Sequence, residues 1–594
     1  MADNLKRLIF ISILLGFLKV NAQSVSLLNK PLNDAIRRSQ LWGDVPIASS
    51  FCVRPVDAVK ALGFDDPYSL DTKYDFVLDE KLNDGLLPKV SIPISRLTDN
   101  ISDSLTKHIV GKVFPKNLFF LRATPITTRV QYNGHHDYGW QDGPMIPNKG
   151  MQYYINGGVY GKIGPLEFQY APEIVHASND SLPAPGARNI RGDSPDRFGT
   201  EIYNRTFLGQ SYIKLNVRSY SIGLSSENIF WGPGRFSGIV MTENAPGMRH
   251  FTFETNKPIQ TRIGSFEFNI IAAEKKRSGF SYATQLNTSP SDSLTGLLSL
   301  PDVFRNTDLD ASFNIFSGVV GVYNPIWLPG LSIGVTREVW TLNQPENIKY
   351  FDYFKLFYSD PFRSSGAGTE VNKSQMASIF FRFVMPESHS EIYGEYGFDD
   401  NRFDIEDMLV SPEHSRAYLI GFRKIHPINE RNEYIDFSAE ITQIEASKEV
   451  MNRIQFGYAV FYDSDYSNYG QNIGAGIGTG SNQWVLNIDH VNSRRRFGFV
   501  FERIARNNDL LYSGQVPWVN TWYGFDFTKK YIEASIGFNY EQRLGPVIFW
   551  SKALLTQTYN WNYWYDPAGT SSIMRANGYN LQSLNIFTGL ALLL

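Results

Sequence analysis

The sequence predicts an all-β fold, a transmembrane antiparallel β-barrel of roughly 18 strands with a small N-terminal helical plug or periplasmic region. Three observations predict it. Segments in which apolar and polar residues alternate one by one recur along most of the 594 residues. The connections between these segments alternate between short turns and long polar loops. Aromatic residues make up 14% of the chain, which is high for a soluble enzyme and is typical of barrels with aromatic girdles.

The alternation is clearest in residues 435–442 (IDFSAEIT), 265–270 (SFEFNI) and 212–217 (YIKLNV). Successive strand side chains point to opposite faces, so each segment has one apolar and one polar face. A barrel with lipid outside and a polar lumen needs this pattern. A soluble β-sandwich or propeller would also alternate, but a leader peptide, the unequal connections and the aromatic content together favour the membrane.

The first 22 residues have the features of a secretion signal. Lys6 and Arg7 are basic, residues 8–18 are apolar, and residues 20–22 (VNA) form a small-residue cleavage site. We expect residues 1–22 to be a signal peptide and the mature protein to be exported to the cell outer membrane. Its single cysteine, Cys52, has no partner for an internal disulfide bond.

Residues 23–120 are predicted to form the helical plug or periplasmic region, and residues 121–594 the barrel. One amphipathic helix is predicted from apolar residues at every fourth position, which are Leu97, Ile101, Leu105 and Ile109. Shorter helices are predicted at 32–42, with Gly43 as its C-cap, and at 56–62.

Short turns are predicted at 163–166, 328–331 and 544–547, where glycine and proline lie between apolar flanks. Long external loops are predicted at 177–210, 276–311, 343–375 and 463–482. Within the last, the glycine-rich residues 474–480 are interpreted as a mobile surface loop, and the basic residues 494–496 as solvated or close to lipid phosphates. Aromatic residues near strand ends are expected to face the membrane interfaces, namely Tyr523, Tyr531, Trp550, Tyr559 and Trp561.

Two motifs are more specific than any periodicity. Residues 132–150 read YNGHHDYGWQDGPMIPNKG. Residues 226–234 read SENIFWGPG and are followed by TENAPG at 242–247, with a strand pair around 164–173 between the two motifs. Both motifs resemble the Wzi family of capsule assembly proteins, in which a Trp-Gly-Pro-Gly sequence is followed by an Asn-Ala-Pro turn. The resemblance covers roughly residues 121–274.

The resemblance implies an outer-membrane barrel of about eighteen strands whose N-terminal helical part faces the periplasm. Family members bind exported polysaccharide at the cell surface, help to attach the capsule, and are regarded as lectin-like. The resemblance therefore implies that this chain binds capsular polysaccharide or exopolysaccharide without catalysis. Its partners would be that polysaccharide and outer-membrane lipid, with the oligomeric state left open.

Sugar recognition needs flat aromatic faces beside amides, carboxylates and guanidinium groups. The two motifs supply these groups, so we predict polysaccharide binding by His136, Tyr138, Trp140, Asp142, Asn228, Trp231, Arg235, Asn244 and Arg249. The alternative is structural: the glycines and prolines shape a tight backbone path and the tryptophans pack inside the barrel.

Other chemistries find little support in the sequence. It has no Gly-x-Ser-x-Gly elbow, no His-Glu-x-x-His motif and no Cys/His spacing for zinc, so no catalytic residue, metal or cofactor is predicted. The net charge of −3 gives no support to nucleic-acid binding. Two alternatives stay open: a diffusion porin for small polar solutes, and an outer-membrane hydrolase whose active site has no local motif.

Overall fold

The computed structural model describes much of the barrel, one N-terminal helix and a short strand before the barrel. The described residues are 30–43, 90–93, 117–182, 198–199, 201–280, 313–341, 350–357, 373–399, 405–410, 412–413, 415–429, 433–447, 466–492, 495–506, 508, 530–561, 574–575 and 578–592. The predicted signal peptide and the predicted helices at 56–62 and 97–109 lie outside them.

In the part of the chain that the structure describes, eighteen antiparallel strands, β1 to β18 in chain order, form the barrel wall. The first four each have two segments: β1 (Asn117–Ala123 and Ile126–Tyr138), β2 (Asn148–Asn156 and Val159–Ile163), β3 (Leu166–Tyr170 and Glu173–Ala177) and β4 (Tyr203–Phe207 and Tyr212–Val217). The others are β5 (Tyr220–Ser225), β6 (Arg249–Thr255), β7 (Gly264–Lys276), β8 (Phe313–Pro325), β9 (Leu331–Thr341), β10 (Lys373–Met385), β11 (Ser390–Asp399), β12 (Arg416–Asn429), β13 (Glu433–Gln443), β14 (Asn482–Asn492), β15 (Arg495–Arg506), β16 (Tyr531–Leu544), β17 (Val547–Tyr559) and β18 (Leu581–Leu592).

The wall closes on itself. Each strand pairs with the next along the chain, and β18 pairs with β1 from Asn585 opposite Asn133 to Leu592 opposite Ile126. Closure joins the first and last strands of the wall, whose backbone groups would otherwise be left unpaired in the bilayer core. Two short strands pair at the rim, Val90–Pro93 with β1 and Ile259–Gln260 with β7. The predicted barrel and its strand count are confirmed.

The two faces of the wall are sorted as in a membrane protein. In β13, Asp436, Ser438 and Glu440 point inward and are buried, whereas Ile441 is 40% exposed on the outside. In β4, Lys214 is buried and Ile213 is 48% exposed. Polar residues inside and apolar residues outside are the reverse of a soluble sandwich, whose apolar faces meet in the core.

Short and long connections lie at opposite ends of the barrel, as predicted. The turns at 164–165, 386–389 and 545–546 are at one end, and the connections at 139–147 and 226–248 are at the other. In outer-membrane barrels the short turns face the periplasm and the long loops face outward. We therefore call the two ends periplasmic and external.

The predicted aromatic girdle is partly wrong. Tyr559 is 49% exposed on the outer face, but Tyr531 and Trp561 are buried inside the barrel and Trp550 points into the lumen. Strand parity, and not nearness to a strand end, decides which face a side chain occupies. Tyr523 lies outside the described residues.

The helix α1 (Lys30–Leu41) confirms the helix predicted at 32–42, and Gly43 follows it with a φ of +76°. It packs at the periplasmic end, where the ring of Trp42 lies against that of His389 with centroids 4.4 Å apart and planes tilted by 48°. The backbone oxygen of Leu41 lies 3.0 Å from Nδ1 of the same histidine. No helix in the described part of the chain is both long enough and apolar enough to cross a bilayer.

One carboxylate on α1 pairs with arginines from two strands of the wall and from the connection after β5. Asp34 lies 3.0 Å from Arg423 of β12, 3.0 Å from Arg496 of β15 and 3.3 Å from Arg235. It also pairs with Arg38 one turn along the helix. Burial raises the pKa of Asp34, but the arginines outweigh it and hold that pKa well below the ordinary value of 3.8. α1 is thus anchored by charge to the inner wall.

Three external connections also turn into the lumen and interlock. The backbone N–H of Gln141 donates to Oδ1 of Asn244 over 2.9 Å, and Nδ2 of Asn244 donates to the backbone oxygen of Asn472 over 3.0 Å. Nε2 of Gln471 donates to the backbone oxygen of Gly143 over 3.0 Å. We call α1 together with residues 139–147, 226–248 and 466–481 the lumenal plug.

Two interpretations of the sequence are wrong at the plug. Residues 474–480 are not a mobile surface loop, because they are largely buried in the plug and a side chain at Gly476 would collide with Asn244. The basic run is not wholly solvated either, since Arg496 points inward to Asp34, whereas Arg495 is exposed; Arg494 lies outside the described residues. A polar lumen accepts the same residue types as a surface loop, so composition does not distinguish them.

Lipid exposure of the outer face is tested at Leu555 of β17, which is 53% exposed, whereas its neighbour Thr556 is buried inside. We expect Leu555→Arg to destabilise the barrel, reducing its free energy of unfolding by about 2–4 kcal/mol, as for a charge at mid-depth in a bilayer. The measurement is urea-dependent folding into phospholipid vesicles. The control Leu555→Ile should cost less than about 1.5 kcal/mol. An unchanged urea midpoint for the arginine variant would contradict the assignment.

The anchoring of α1 is tested by the pH dependence of its docking. A depressed carboxyl pKa contributes stability above the unfolded pKa and loses it as pH falls through the folded pKa. We therefore expect hydrogen exchange of the α1 amides, corrected for intrinsic rates, to show equal protection at pH 7 and pH 5. Protection should fall only at more acidic pH.

Asp34→Asn should reduce the free energy of opening of α1, obtained from its exchange protection at pH 7, by about 3–5 kcal/mol, because the variant leaves buried arginines without this counter-ion. Asp180→Asn, which changes an exposed carboxylate at the external end, is the matched control and should leave α1 unchanged. Loss of protection between pH 7 and pH 5 in the unmodified protein would disprove the anchoring role of Asp34.

Candidate functional site

Three of the nine predicted binding residues are engaged inside the plug. Asn228 donates from Nδ2 to the backbone oxygen of Ala245 over 2.7 Å and accepts from Gln210 over 2.9 Å. Trp231 is 1% exposed and lies against Gly318 of β8, where a Cβ would be 2.9 Å from its ring. Asn244 joins the connections described above. Their side chains are used in holding the plug together.

The Trp-Gly-Pro-Gly turn is held by two charged side chains. Oε2 of Glu440 on β13 accepts the backbone N–H of Arg235 over 2.7 Å, and its Oε1 accepts that of Ser237 over 2.7 Å. From the other side, Arg37 of α1 donates to the backbone oxygens of Pro233 and Gly234 over 3.0 and 3.1 Å. The motif therefore connects the helix to the wall. The predicted residue Arg235 takes part through its backbone and through Asp34.

Two other predicted residues lie at opposite sides of the wall. His136 is fully buried, with Nε2 2.8 Å from Oγ1 of Thr558 on β17. Arg249 is on the outer face of β6, where its side chain is 54% exposed and its Nη2 is 2.8 Å from Glu274. The structure does not bring Arg249 together with the other predicted residues.

The remaining predicted residues, Tyr138, Trp140 and Asp142, lie where the plug meets the inner wall. Trp140 and Asp142 belong to the connection after β1, and Asp142 keeps 25% of its side-chain surface exposed. Arg129 of β1 lies 4.0 Å from Asp142, and its guanidinium is 4.9 Å from the ring of Tyr154 on β2. A loose ion pair thus lies next to an aromatic face.

The cleft continues along β17 and β18. The ammonium of Lys552 lies 5.9 Å from the rings of both Trp140 and Phe587, and the lysine side chain is 30% exposed. Lys552 pairs with Glu502 of β15, whose other oxygen accepts from the hydroxyl of Tyr138 over 2.6 Å. The predicted residue Tyr138 therefore supports the lysine and does not line the opening. We define the lumenal cleft as Arg129, Trp140, Asp142, Tyr154, Trp550, Lys552 and Phe587.

A glycine shapes the floor of the lumenal cleft. Gly589 of β18 lies opposite Trp550 of β17, and a Cβ at Gly589 would come within 2.1 Å of the indole ring. The indole therefore lies flat across the glycine, and the guanidinium of Arg129 is 5.9 Å from its ring. A flat indole with a neighbouring cation offers a stacking surface for the C–H face of a ring-shaped ligand.

Sequence reasoning found Trp140 and Asp142 but missed the rest of the lumenal cleft. Arg129, Tyr154, Lys552 and Phe587 belong to no motif, and Trp550 was expected at the membrane interface. The available signal was strand parity: Lys552 and Trp550 are two residues apart and share the inward face of β17. A lysine in a strand whose alternate positions are mostly apolar, as Val547, Phe549, Ala553 and Leu555 are here, indicates a lumen-facing position.

Comparisons with known proteins agree with the fold. The family model for the capsule assembly protein Wzi matches residues 128–544, well beyond the region of motif resemblance. No curated protein matches the sequence.

Among solved structures, the chain is similar to Wzi from Escherichia coli, described as a carbohydrate-binding β-barrel of the outer membrane involved in group 1 capsule assembly. The TM-score is 0.51 at 10% identity, covering 94% of this chain and 98% of that one. The outer-membrane channel DcaP of Acinetobacter baumannii matches with a TM-score of 0.29 at 7% identity, covering 80% and 97%, and a BenF-like porin from Pseudomonas fluorescens with 0.36 at 7%, covering 80% and 99%.

The E. coli structure shares the fold of this chain, whereas the two channel scores are too low to support an argument. The family match spans most of the barrel strands and both motifs of the plug. The chain therefore belongs to the Wzi family of capsule assembly proteins and is an outer-membrane β-barrel.

Proposed function

We propose that this protein binds exported capsular polysaccharide or exopolysaccharide at the cell surface and aids its assembly or retention. Binding makes and breaks no covalent bond in this proposal. The observation that supports it is the set of segments that pack inside the barrel: family motifs build the plug, and the cleft where the plug meets the wall offers aromatic faces and hydrogen-bonding groups. These groups suit a sugar ring, whose C–H faces stack and whose hydroxyls need donors and acceptors.

The plug argues against a diffusion porin. A porin needs a continuous water-filled channel, whereas residues 226–248 and 466–481 are largely buried and hydrogen-bonded to one another. The backbone N–H of Thr242, for example, donates to the oxygen of Ile473 over 2.8 Å. α1 adds charged contacts at the periplasmic end. The barrel thus supports retention of a ligand more readily than its passage.

A polymer needs only modest affinity at each site. A polysaccharide repeats its sugar units, so many barrels in one membrane hold a single chain at many points and the weak contacts add by avidity. The outward apolar side chains keep the barrel in lipid at the place where the exported polymer emerges. Retention of the capsule then follows from the number of contacts.

The plugged lumen is tested by conductance in planar bilayers. We expect the purified protein to give little or no steady current. Replacing residues 229–243 with a short Gly-Ser linker removes one component of the plug and should raise the current several-fold, because the water-filled cross-section grows. A large open-state current from the unmodified protein, blocked by small sugars, would favour the porin instead.

The cellular role is tested by removing the gene and measuring how the surface glycan divides between cells and medium. We expect the cell-bound fraction to fall and the shed fraction to rise, with total glycan unchanged, because attachment is lost and synthesis is not. Re-expression of the protein is the control and should restore the cell-bound fraction. An unchanged cell-bound fraction would count against the proposal, and turnover of labelled glycan by purified protein would establish the hydrolase.

A further inference from the structure

The lumenal cleft has free hydrogen-bonding groups that the fold itself does not use. Within the described part of the chain, the guanidinium of Arg129 donates no hydrogen bond, and its Nε is buried without a partner. The carboxylate of Asp142, 4.0 Å away, accepts none from the described residues. Nor do the indole N–H groups of Trp140 and Trp550 donate to any described residue. A buried donor without a partner costs free energy that a ligand would recover.

The cleft has no excess of positive charge. Arg129 and Lys552 are positive, whereas Asp142 and Glu502 are negative, and the buried carboxyl of Glu173, which accepts from the hydroxyl of Tyr154, also lies close enough to Arg129 to interact with its charge. A ligand carboxylate placed at Arg129 would also meet Asp142, and burying two like charges together is unfavourable. A pair of neighbouring hydroxyls meets no such penalty, because one hydroxyl accepts from Arg129 and the other donates to Asp142.

The aromatic side chains fix the orientation of a ring at this point. Trp550 lies flat across Gly589, and Trp140 lies above Lys552 further toward the external end. The Arg129–Asp142 pair lies beside these two indoles. A pyranose ring stacked on an indole directs its hydroxyls outward from its edge, toward the charged pair.

We propose that the lumenal cleft is a binding site for an uncharged pyranose unit with two neighbouring hydroxyls. It stacks on Trp550 and Trp140 and bridges Arg129 and Asp142 with its hydroxyls. The inference rests on the proposed polysaccharide binding and adds the class of sugar and its place inside the wall. Arg129 and Asp142 act through their opposite charges, and Gly589 acts as a positioning residue for the stacking surface.

The test uses the full-length protein in detergent and two matched probes. One probe is an α-1,4-linked tetragalacturonate, and the other is the same tetramer after its carboxyl groups are reduced to alcohols; neutral tetramers of glucose and mannose complete the series. Binding is followed by tryptophan fluorescence and by calorimetry. We expect a neutral tetramer to bind at least roughly tenfold more tightly than the uronate tetramer. Its affinity should change little between low and high salt.

The decisive variant is Asp142→Asn. Removing the negative charge leaves Arg129 uncompensated, so we expect weaker binding of the neutral tetramer and stronger binding of the uronate. If Asp142 had a purely structural role, the substitution would weaken the binding of the neutral tetramer and of the uronate tetramer alike. Arg129→Gln should lower neutral binding by roughly tenfold, the typical effect of losing a hydrogen bond to a charged group. Gly589→Val should displace Trp550 and abolish its fluorescence response.

The matched control is Arg503→Gln. Arg503 also lies over a tryptophan, 5.0 Å from the ring of Trp484, but that tryptophan is on the outer face of the barrel. We expect this variant to bind every probe as the unmodified protein does. The electrophoretic shift between heated and unheated samples verifies that each variant is folded.

Three outcomes would overturn the inference: tighter binding of the uronate by the unmodified protein, an unchanged preference in Asp142→Asn, or no binding of any tetramer. The proposed function is judged separately, from retention of the surface glycan in cells. If cells need the protein to hold their glycan but the tetramers do not behave as expected, only the cleft inference fails. If retention is also unaffected, both fail.

Discussion

The structure depends on one physical constraint, which is that lipid surrounds a wall whose inner face is polar. Unpaired backbone groups are strongly unfavourable in lipid, so the sheet must close and β18 must pair with β1. Polar side chains then face inward, and buried charges need partners. Arg423 of β12 shows the result, since its guanidinium lies between Asp436 of β13 and Asp34 of α1. The inserted helix thus adds a second counter-ion to charges that are already paired within the wall.

The family motifs serve that requirement first. The Trp-Gly-Pro-Gly turn allows the chain to place backbone N–H groups against Glu440 and backbone oxygens against Arg37. Glycine is needed where φ is +105° at Gly232 and where a Cβ at Gly234 would overlap the oxygen of Ser237. A motif that looks like a binding loop in sequence is therefore a structural element that joins the helix to the wall.

Strand parity explains what the sequence predicts well and what it does not. The alternation in residues 435–442 is local, so it predicts strand β13 and its two faces from the residues alone. The placement of Arg496 and of residues 474–480 is not local, because a polar segment satisfies a polar lumen and bulk water equally well. Trp550 shows the same limit: its nearness to a strand end suggests an interface, and only the register with Gly589 reveals its stacking role.

Closure of the wall also bears on how the molecule folds. β18 pairs with β1, although the two strands lie far apart along the chain. Helix α1, which precedes β1, likewise reaches β12 and β15 through Asp34. Sealing of the cylinder and docking of the helix therefore both carry the entropic cost of bringing distant parts of the chain together.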